Sequence, residues 1–66
     1  MPEIYVYAIE GRSINQKRAL INEITDAVVR HFGVDAEAVV VQIVESSKTN
    51  KAKGGVLFSE REAARR

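Results

Sequence analysis

The chain has 66 residues, of which 45% are hydrophobic and 29% charged, and its formal net charge is +1. We therefore expect one thin domain over residues 1–66 and no nucleic-acid partner, because nucleic-acid binding usually needs a clearly basic surface. The absence of cysteine excludes disulfides and thiolate metal sites, and a single histidine excludes a histidine-rich metal centre.

Pro2, the second residue of the chain, is a candidate for direct chemical reactivity. Met1 before a small residue is the usual substrate for methionine removal, which would leave Pro2 with a free secondary amine. An α-amino group titrates near about 7.7–8.0, and a base poised near neutral pH suits proton transfer beside a carbonyl. The alternative is a proline that only resists peptidases, and on Pro2 alone this alternative is favoured.

The first predicted element is a strand over residues 3–9, rich in the β-branched and aromatic residues that favour strands. Its residues alternate between two faces, with Ile4, Val6 and Ala8 on one and Tyr5, Tyr7 and Ile9 on the other. Both faces are largely apolar, which predicts that both are covered in the folded protein.

A long helix is predicted after a turn at residues 10–12. Ser13 at the N-cap and Gln16 three residues later form a capping box, and Gly33 suits the position just past a helix end at Phe32. Apolar residues recur at helical spacing in one stripe: Ile14, Leu20, Ile21, Ile24, Ala27, Val28 and Phe32. Lys17 lies near this stripe, and we expect its stem on the sheet and its ammonium in water.

A second strand is predicted over residues 39–45, after a connector with a single helical turn capped by Asp35. Its continuous apolar run indicates burial on both faces. Strand, helix and strand make a βαβ unit, so the fold class is α/β with two parallel strands. One helix covers only one face of that sheet, and so small a core is marginal. We therefore expect other copies of the chain to complete the fold.

The rest of the chain is predicted to be a polar loop over residues 46–55, a short strand over 56–58 and a charged tail that is frayed or forms a short turn. The lysines of the loop would suit an anion, although a solvated loop is the expected state of any one of them. No signal peptide or membrane span is visible, so no membrane partner is expected and the predicted location is the cytoplasm.

Together these residues resemble 4-oxalocrotonate tautomerase and its superfamily of small enzymes with an N-terminal proline. The matching features run to Gly55: Pro2, Glu10-Gly11-Arg12-Ser13, Gln16-Lys17, Leu20-Ile21, the apolar second strand and Gly54-Gly55. Glu-Gly-Arg-Ser alone is a weak motif, but with Pro2, the spacing and the chain length it is strong. The resemblance implies a homohexamer, a trimer of dimers with a four-stranded sheet in each dimer and the terminal strand on a neighbouring subunit.

The resemblance also implies a keto–enol tautomerase, an isomerase acting on 2-hydroxydienoate, enol or 2-oxo acid substrates without a cofactor or metal, as in aromatic compound degradation. In the family the proline amine takes a proton from one carbon and returns it at another, which assigns Pro2 as base and acid. The arginine of the turn binds the substrate carboxylate or carbonyl, which assigns Arg12. Its planar donor fork suits a carboxylate. The structural alternative is a turn arginine that pairs with Glu10.

Two positions depart from the family pattern. Val40 stands where the best-characterised member has a second arginine that reaches a neighbour's site, and Lys51 stands where it has a phenylalanine. We expect Ile9, Val40 and Lys51 to bind substrate together with Arg12, with Lys51 either partly replacing the lost cation or pointing into water. The substrate is then a monoacid, or a diacid held loosely at one end.

Two further alternatives stay open. One is a non-catalytic oligomeric or subunit protein on the same scaffold, which retention of Met1 would favour because Pro2 would then be an amide. The other is a proline-dependent dehalogenase or hydratase, which ranks lower because the sequence identifies no extra acid for activating water.

Overall fold

The computed structural model describes residues 1–64, and the side chains of residues 1–61. Its regular elements in chain order are β1 (Glu3–Ile9), α1 (Ile14–Phe32), a 3₁₀ turn (Ala36–Ala38), β2 (Val40–Ser46), β3 (Ala52–Lys53), β4 (Val56–Leu57) and α2 (Phe58–Ala64). The predicted βαβ unit is therefore confirmed, and a hairpin and a short second helix follow it.

The two long strands form a parallel pair, as predicted. Their register runs from Glu3 opposite Val40 to Ile9 opposite Ser46. β1 occupies the predicted residues, whereas β2 begins one residue later than predicted. The reason is that the backbone N–H of Val39 donates to the carbonyl of Ala36 at 3.0 Å and so closes the 3₁₀ turn first.

The helix α1 has the predicted bounds, and local hydrogen bonds fix both of its ends. At the start, the Ser13 hydroxyl accepts from the Gln16 N–H at 3.1 Å, and the Gln16 side chain accepts from the Ser13 N–H at 2.9 Å. At the end, Gly33 adopts a left-handed conformation and its N–H donates to the Val29 carbonyl at 3.0 Å. The capping box and the glycine cap specify this helix locally. Asp35 precedes the 3₁₀ turn as predicted, but its side chain makes no capping hydrogen bond.

The helix covers one face of the sheet and leaves the other face bare. Among the side chains that the structure describes, none is buried in the single chain. Large apolar side chains stay exposed on the bare sheet face and on the helix: Tyr5 49%, Tyr7 70%, Ile14 64%, Leu20 41% and Phe32 68%. The prediction that both faces of the sheet are covered is thus not fulfilled within one chain. Burial of apolar surface is the main driving force of folding, so this chain needs further surface to pack against.

The chain after β2 departs most from the prediction. Residues 51–61, here called the C-terminal arm, contain a hairpin in which Ala52 pairs with Leu57 and Lys53 with Val56. Its two-residue turn, Gly54-Gly55, has φ values of 61° and 81°, which glycine adopts without strain. The predicted loop therefore contains β3, because the turn brings a weakly strand-forming segment alongside β4.

The prediction of a frayed tail or a short turn at the end of the chain is also partly wrong. Phe58 starts α2 instead of ending the strand, and the helix continues to Ala64. The helix-forming residues in this stretch, such as Glu60 and Arg61, favour a helix over a frayed tail. The tail's last two residues lie outside the described part of the chain.

Candidate functional site

Pro2 lies at the amino end of the sheet, beside the first residue of β2. The Val40 N–H donates to the Pro2 carbonyl oxygen at 2.9 Å, which continues the parallel ladder beyond β1. Pro2 itself is half-buried, whereas Met1 is 85% exposed. Removal of Met1 would therefore uncover the Pro2 nitrogen and leave this hydrogen bond in place.

Arg12 lies at the other end of the sheet, in the turn that leads from β1 into α1. The Glu10 N–H donates to the Ser46 carbonyl at 2.9 Å, which ties this turn to the end of β2. Gly11 follows with φ +123°, in the region that favours glycine, and redirects the chain towards the helix. The sequence Glu-Gly-Arg thus delivers the arginine at the start of α1.

The two predicted catalytic residues consequently stand at opposite ends of β1. The strand has seven residues. At about 3.3 Å per residue, its ends are roughly 20 Å apart. A hydrogen bond spans only about 3 Å between heavy atoms. The single chain therefore does not bring Pro2 and Arg12 to one small substrate.

The start of α1 gathers cationic side chains. The first turn of the helix contains no acidic residue. Lys17 and Arg18 both lie in the first turns, and Arg12 precedes them. Because a helix N-terminus also carries partial positive charge, this end of the sheet favours an anion.

Among the described residues, Arg12 is the cation of this group that has no partner. Lys17 Nζ lies 3.0 Å from Glu45 Oε1, and Arg18 Nη1 donates to Asn15 Oδ1 at 3.0 Å. In the described part of the chain, the Arg12 side chain makes no hydrogen bond or ion pair. The structural alternative, a pair between Arg12 and Glu10, is thus not formed, and the guanidinium donors are available.

A cavity of about 270 Å³ lies between the start of α1 and the sheet, and Arg12 lines it. Its other polar lining comes from Gln16 and from the Lys17–Glu45 pair. Its apolar walls are Val6, Ala8, Leu20 and Ile43. A cation beside apolar walls suits a ligand that joins a carboxylate to an apolar body.

Two of the other predicted substrate-binding residues are divided between the two ends. Val40 is 38% exposed at the amino end, where it pairs with Glu3. Ile9 is half-buried at the carboxyl end, where it pairs with Ser46. Each therefore belongs with a different one of the two predicted catalytic residues.

Lys51, the last of the predicted site residues, lies at the start of the C-terminal arm. Its ammonium is 6.0 Å from the centre of the Phe58 ring, at the outer limit of a cation–π contact. The Phe58 N–H donates to the Lys51 carbonyl at 2.8 Å, and Lys51 is half-buried. Lys51 is thus held by an aromatic residue of its own arm.

Sequence reasoning misses two polar contacts. The Lys17 ammonium, expected in water, pairs with Glu45, and no local signal links residues 28 positions apart. On the bare sheet face, the Tyr5 hydroxyl donates to Glu3 Oε1 at 2.8 Å. This hydrogen bond, together with the nearby Glu3 charge, raises the pKa of Tyr5. The contact between Tyr5 and Glu3 could have been predicted, because residues two apart in a strand point to the same face.

The described residues offer no group of three histidine, cysteine, aspartate or glutamate side chains that would hold a metal ion. Within the same residues, no helix has both the length and the apolar character needed to cross a membrane.

Known proteins resemble this chain along most of its length. The model of the tautomerase enzyme family matches residues 2–61. A probable tautomerase of Bradyrhizobium diazoefficiens is 52% identical over 64 residues, which cover 97% of this chain and 96% of the relative.

Solved structures of 4-oxalocrotonate tautomerases are also similar to this chain. A 4-oxalocrotonate tautomerase isozyme from Methylibium petroleiphilum matches with a TM-score of 0.89 at 35% identity, covering 96% of this chain and 98% of that one. A heterohexameric 4-oxalocrotonate tautomerase from Chloroflexus aurantiacus matches with a TM-score of 0.83 at 30% identity, covering 91% and 97%.

Proposed function

The chain belongs to the tautomerase family, and we propose that it is an isomerase that moves a proton within enol or 2-oxo acid substrates. Its base is the secondary amine that Pro2 acquires when Met1 is removed. The observation that carries this proposal is the position of Pro2, which is fixed by the hydrogen bond from Val40 while Met1 projects into solvent.

The amine acts first as a base and then as an acid. It accepts a proton from the enol hydroxyl or from a carbon beside the carbonyl, and the resulting ammonium returns that proton to another carbon. The substrate's electrons only change position, so the step is balanced without a redox partner. Burial and a neighbouring cation both disfavour the charged amine and lower its pKa, which keeps the base free at neutral pH.

The substrate's carboxylate or carbonyl binds Arg12 in this proposal. Support comes from the unpaired guanidinium, from the partial positive charge of the N-terminus of α1 and from the apolar walls beside it. Arginine binds a carboxylate through two parallel hydrogen bonds, which also orients the substrate.

The site forms between copies of the chain, with Pro2 from one copy and Arg12 from another. The roughly 20 Å between the ends of β1 supports this arrangement. So does the lack of buried side chains in the described part of the chain, because a second copy would cover the bare sheet face. We propose a homo-oligomer, most simply a hexamer built as a trimer of dimers; the Chloroflexus aurantiacus relative is itself a hexamer, though a mixed one.

The remaining site residues set the substrate class. Val40 supplies an apolar wall beside Pro2, and Ile9 supplies one at the carboxyl end of β1, on the sheet face opposite the Arg12 cavity. Lys51 provides a second, weaker cation, because a single ammonium lacks the two-pronged geometry of a guanidinium. The preferred substrates are therefore monoacids, or diacids whose second carboxylate is held loosely.

The experiment compares protein that lacks Met1 with protein that retains it, each verified by intact mass. We expect the form without Met1 to catalyse the keto–enol interconversion of phenylenolpyruvate or a simple 2-hydroxydienoate, followed by ultraviolet absorbance. Retention of Met1 converts the amine into an amide and should remove most of the activity. Pro2→Ala keeps a primary amine and should lose only part of it.

The control is that both forms sediment as the same oligomer and unfold at the same urea concentration. Equal rates in the two forms would contradict the role of Pro2 as the base.

A further inference from the structure

The cavity at the start of α1 is lined by a carboxylate as well as by the proposed anion-binding arginine. Arg12, Lys17 and Glu45 all line it, and Glu45 is the acidic residue among its described lining residues. Arginine and carboxylate form strong, often bidentate pairs. The Glu45 carboxylate is therefore a built-in competitor of any substrate carboxylate for Arg12.

In the structure, the acceptor groups of this cavity are held by donors other than Arg12. Glu45 Oε1 is bound to Lys17 Nζ at 3.0 Å. The other side-chain acceptor in the lining, the Gln16 carbonyl oxygen, is occupied by the Ser13 N–H at 2.9 Å. Each of these groups thus already accepts one hydrogen bond, and the Arg12 side chain makes none with the described residues.

Folding stability alone does not explain why Lys17 and Glu45 form an ion pair here. Its two side chains are 28% and 30% exposed, and ion pairs that reach solvent contribute little to folding. Lys17 also lies in the first turns of α1, where the helix dipole disfavours a cation. A role in the site accounts better for a cation at this position.

We propose that Lys17 is a positioning residue that holds the Glu45 carboxylate and thereby keeps Arg12 free for the carboxylate of the substrate. This inference rests on the proposed function of Arg12. Without Lys17, Glu45 would swing to Arg12 and block it in the free enzyme. Such capture competes with substrate, so it raises KM and leaves kcat nearly unchanged.

The test uses Lys17→Met with Arg18→Met as its matched control. Both changes remove one positive charge from the same stretch of α1, but the partner of Arg18 is the neutral Asn15. We expect Lys17→Met to raise KM for phenylenolpyruvate roughly three- to fivefold, the strength expected of a half-exposed ion pair that captures Arg12. Arg18→Met should change KM by less than about twofold, because an exposed, more distant charge is screened.

The decisive variant is the double change Lys17→Met/Glu45→Gln. It leaves no carboxylate to capture Arg12, so KM should return to within about twofold of the parent value. Glu45→Gln alone should leave KM at or below the parent value. If Lys17→Met does not fold, Lys17→Gln with and without Glu45→Gln replaces it, and urea unfolding checks every variant.

A binding measurement separates this inference from the proposed proton transfer. The dissociation constant of cinnamate, a stable monocarboxylate, is measured by calorimetry and should follow the same pattern as KM. If Arg12→Ala leaves cinnamate binding unchanged, the anion-binding role of Arg12 itself is wrong. If Arg12→Ala weakens binding but the double variant stays as weak as Lys17→Met, the positioning role of Lys17 is overturned. That role is also overturned if Glu45→Gln alone weakens binding as much as Lys17→Met.

Discussion

The two ends of the parallel sheet are built for different tasks. At the amino end, a backbone hydrogen bond from Val40 fixes Pro2, and no side chain has to place it. At the carboxyl end, a glycine turn and a helix start gather cationic side chains, and Arg12 is the one of them without a partner among the described residues. The proposed base is therefore positioned by the strand register, and the proposed anion-binding residue is positioned by a turn.

Because the two ends are far apart, a site that contains both Pro2 and Arg12 would need residues from two copies of the chain. A single βαβ unit keeps the two ends roughly 20 Å apart, the length of one seven-residue strand. A neighbouring copy would bring its carboxyl end to the first copy's amino end. Only such an assembly would place the Arg12 charge near the Pro2 amine, because opposite ends of one chain are separated by more than a Debye length.

Changing the anion-binding residue at the carboxyl end should have the largest effect. Arg12→Ala should lower kcat/KM for acid substrates about ten- to a hundredfold, the value of one charge-assisted hydrogen-bonded contact. Neutral carbonyl compounds should lose much less, since they lack the carboxylate. Steady-state kinetics on one substrate of each type measures the difference.

Arg18→Ala is the control for this change, because it removes the same charge from the neighbouring helix turn. An equal loss for acid and neutral substrates in Arg12→Ala would show that Arg12 only shapes the turn.

A smaller effect is expected from Lys51 in the C-terminal arm, which would be a further substrate contact besides the two ends of the sheet. Lys51→Ala should raise KM for a dicarboxylate about two- to fivefold and leave a monocarboxylate nearly unchanged, as expected of one partly exposed charge. Added salt should weaken the effect. Lys53→Ala, on the same arm, is the control. Identical kinetics for Lys51→Ala and the parent on both substrates would leave Arg12 as the anion-binding side chain.

Much of the fold is predictable because its signals are local. The strand at residues 3–9, the capping box at Ser13 and the glycine cap at Gly33 all lie where the sequence predicts them. The tautomerase family and its α/β fold, inferred from the resemblance, are confirmed. The sequence marks Gly54-Gly55 as a break, but it does not reveal β3 before it, because Ala52 and Lys53 have weak strand propensity.

The site is harder to predict because its geometry depends on pairs far apart in sequence. The motif identifies Pro2 and Arg12, yet their places at opposite ends of the sheet follow only from the strand register. The pairing of Lys17 with Glu45 joins a helix to a strand across 28 positions, and no spacing rule predicts it. The sequence also does not reveal what covers the sheet face that the helix leaves bare.

The claim that one site takes Pro2 and Arg12 from different copies is tested most directly by mixing two defective variants. One carries an N-terminal extension that turns Pro2 into an amide and keeps Arg12. The other has a free Pro2 and the change Arg12→Ala. They are unfolded together in equal amounts, refolded, and assayed on an acid substrate beside each variant treated alone.

Random assembly of a symmetric oligomer should place an intact Pro2 beside an intact Arg12 in about a quarter of the sites. The account therefore predicts that the refolded mixture recovers about a quarter of the parent activity, well above either variant alone. A mixture no more active than the average of the two separate variants, although mass spectrometry shows mixed oligomers, would contradict it.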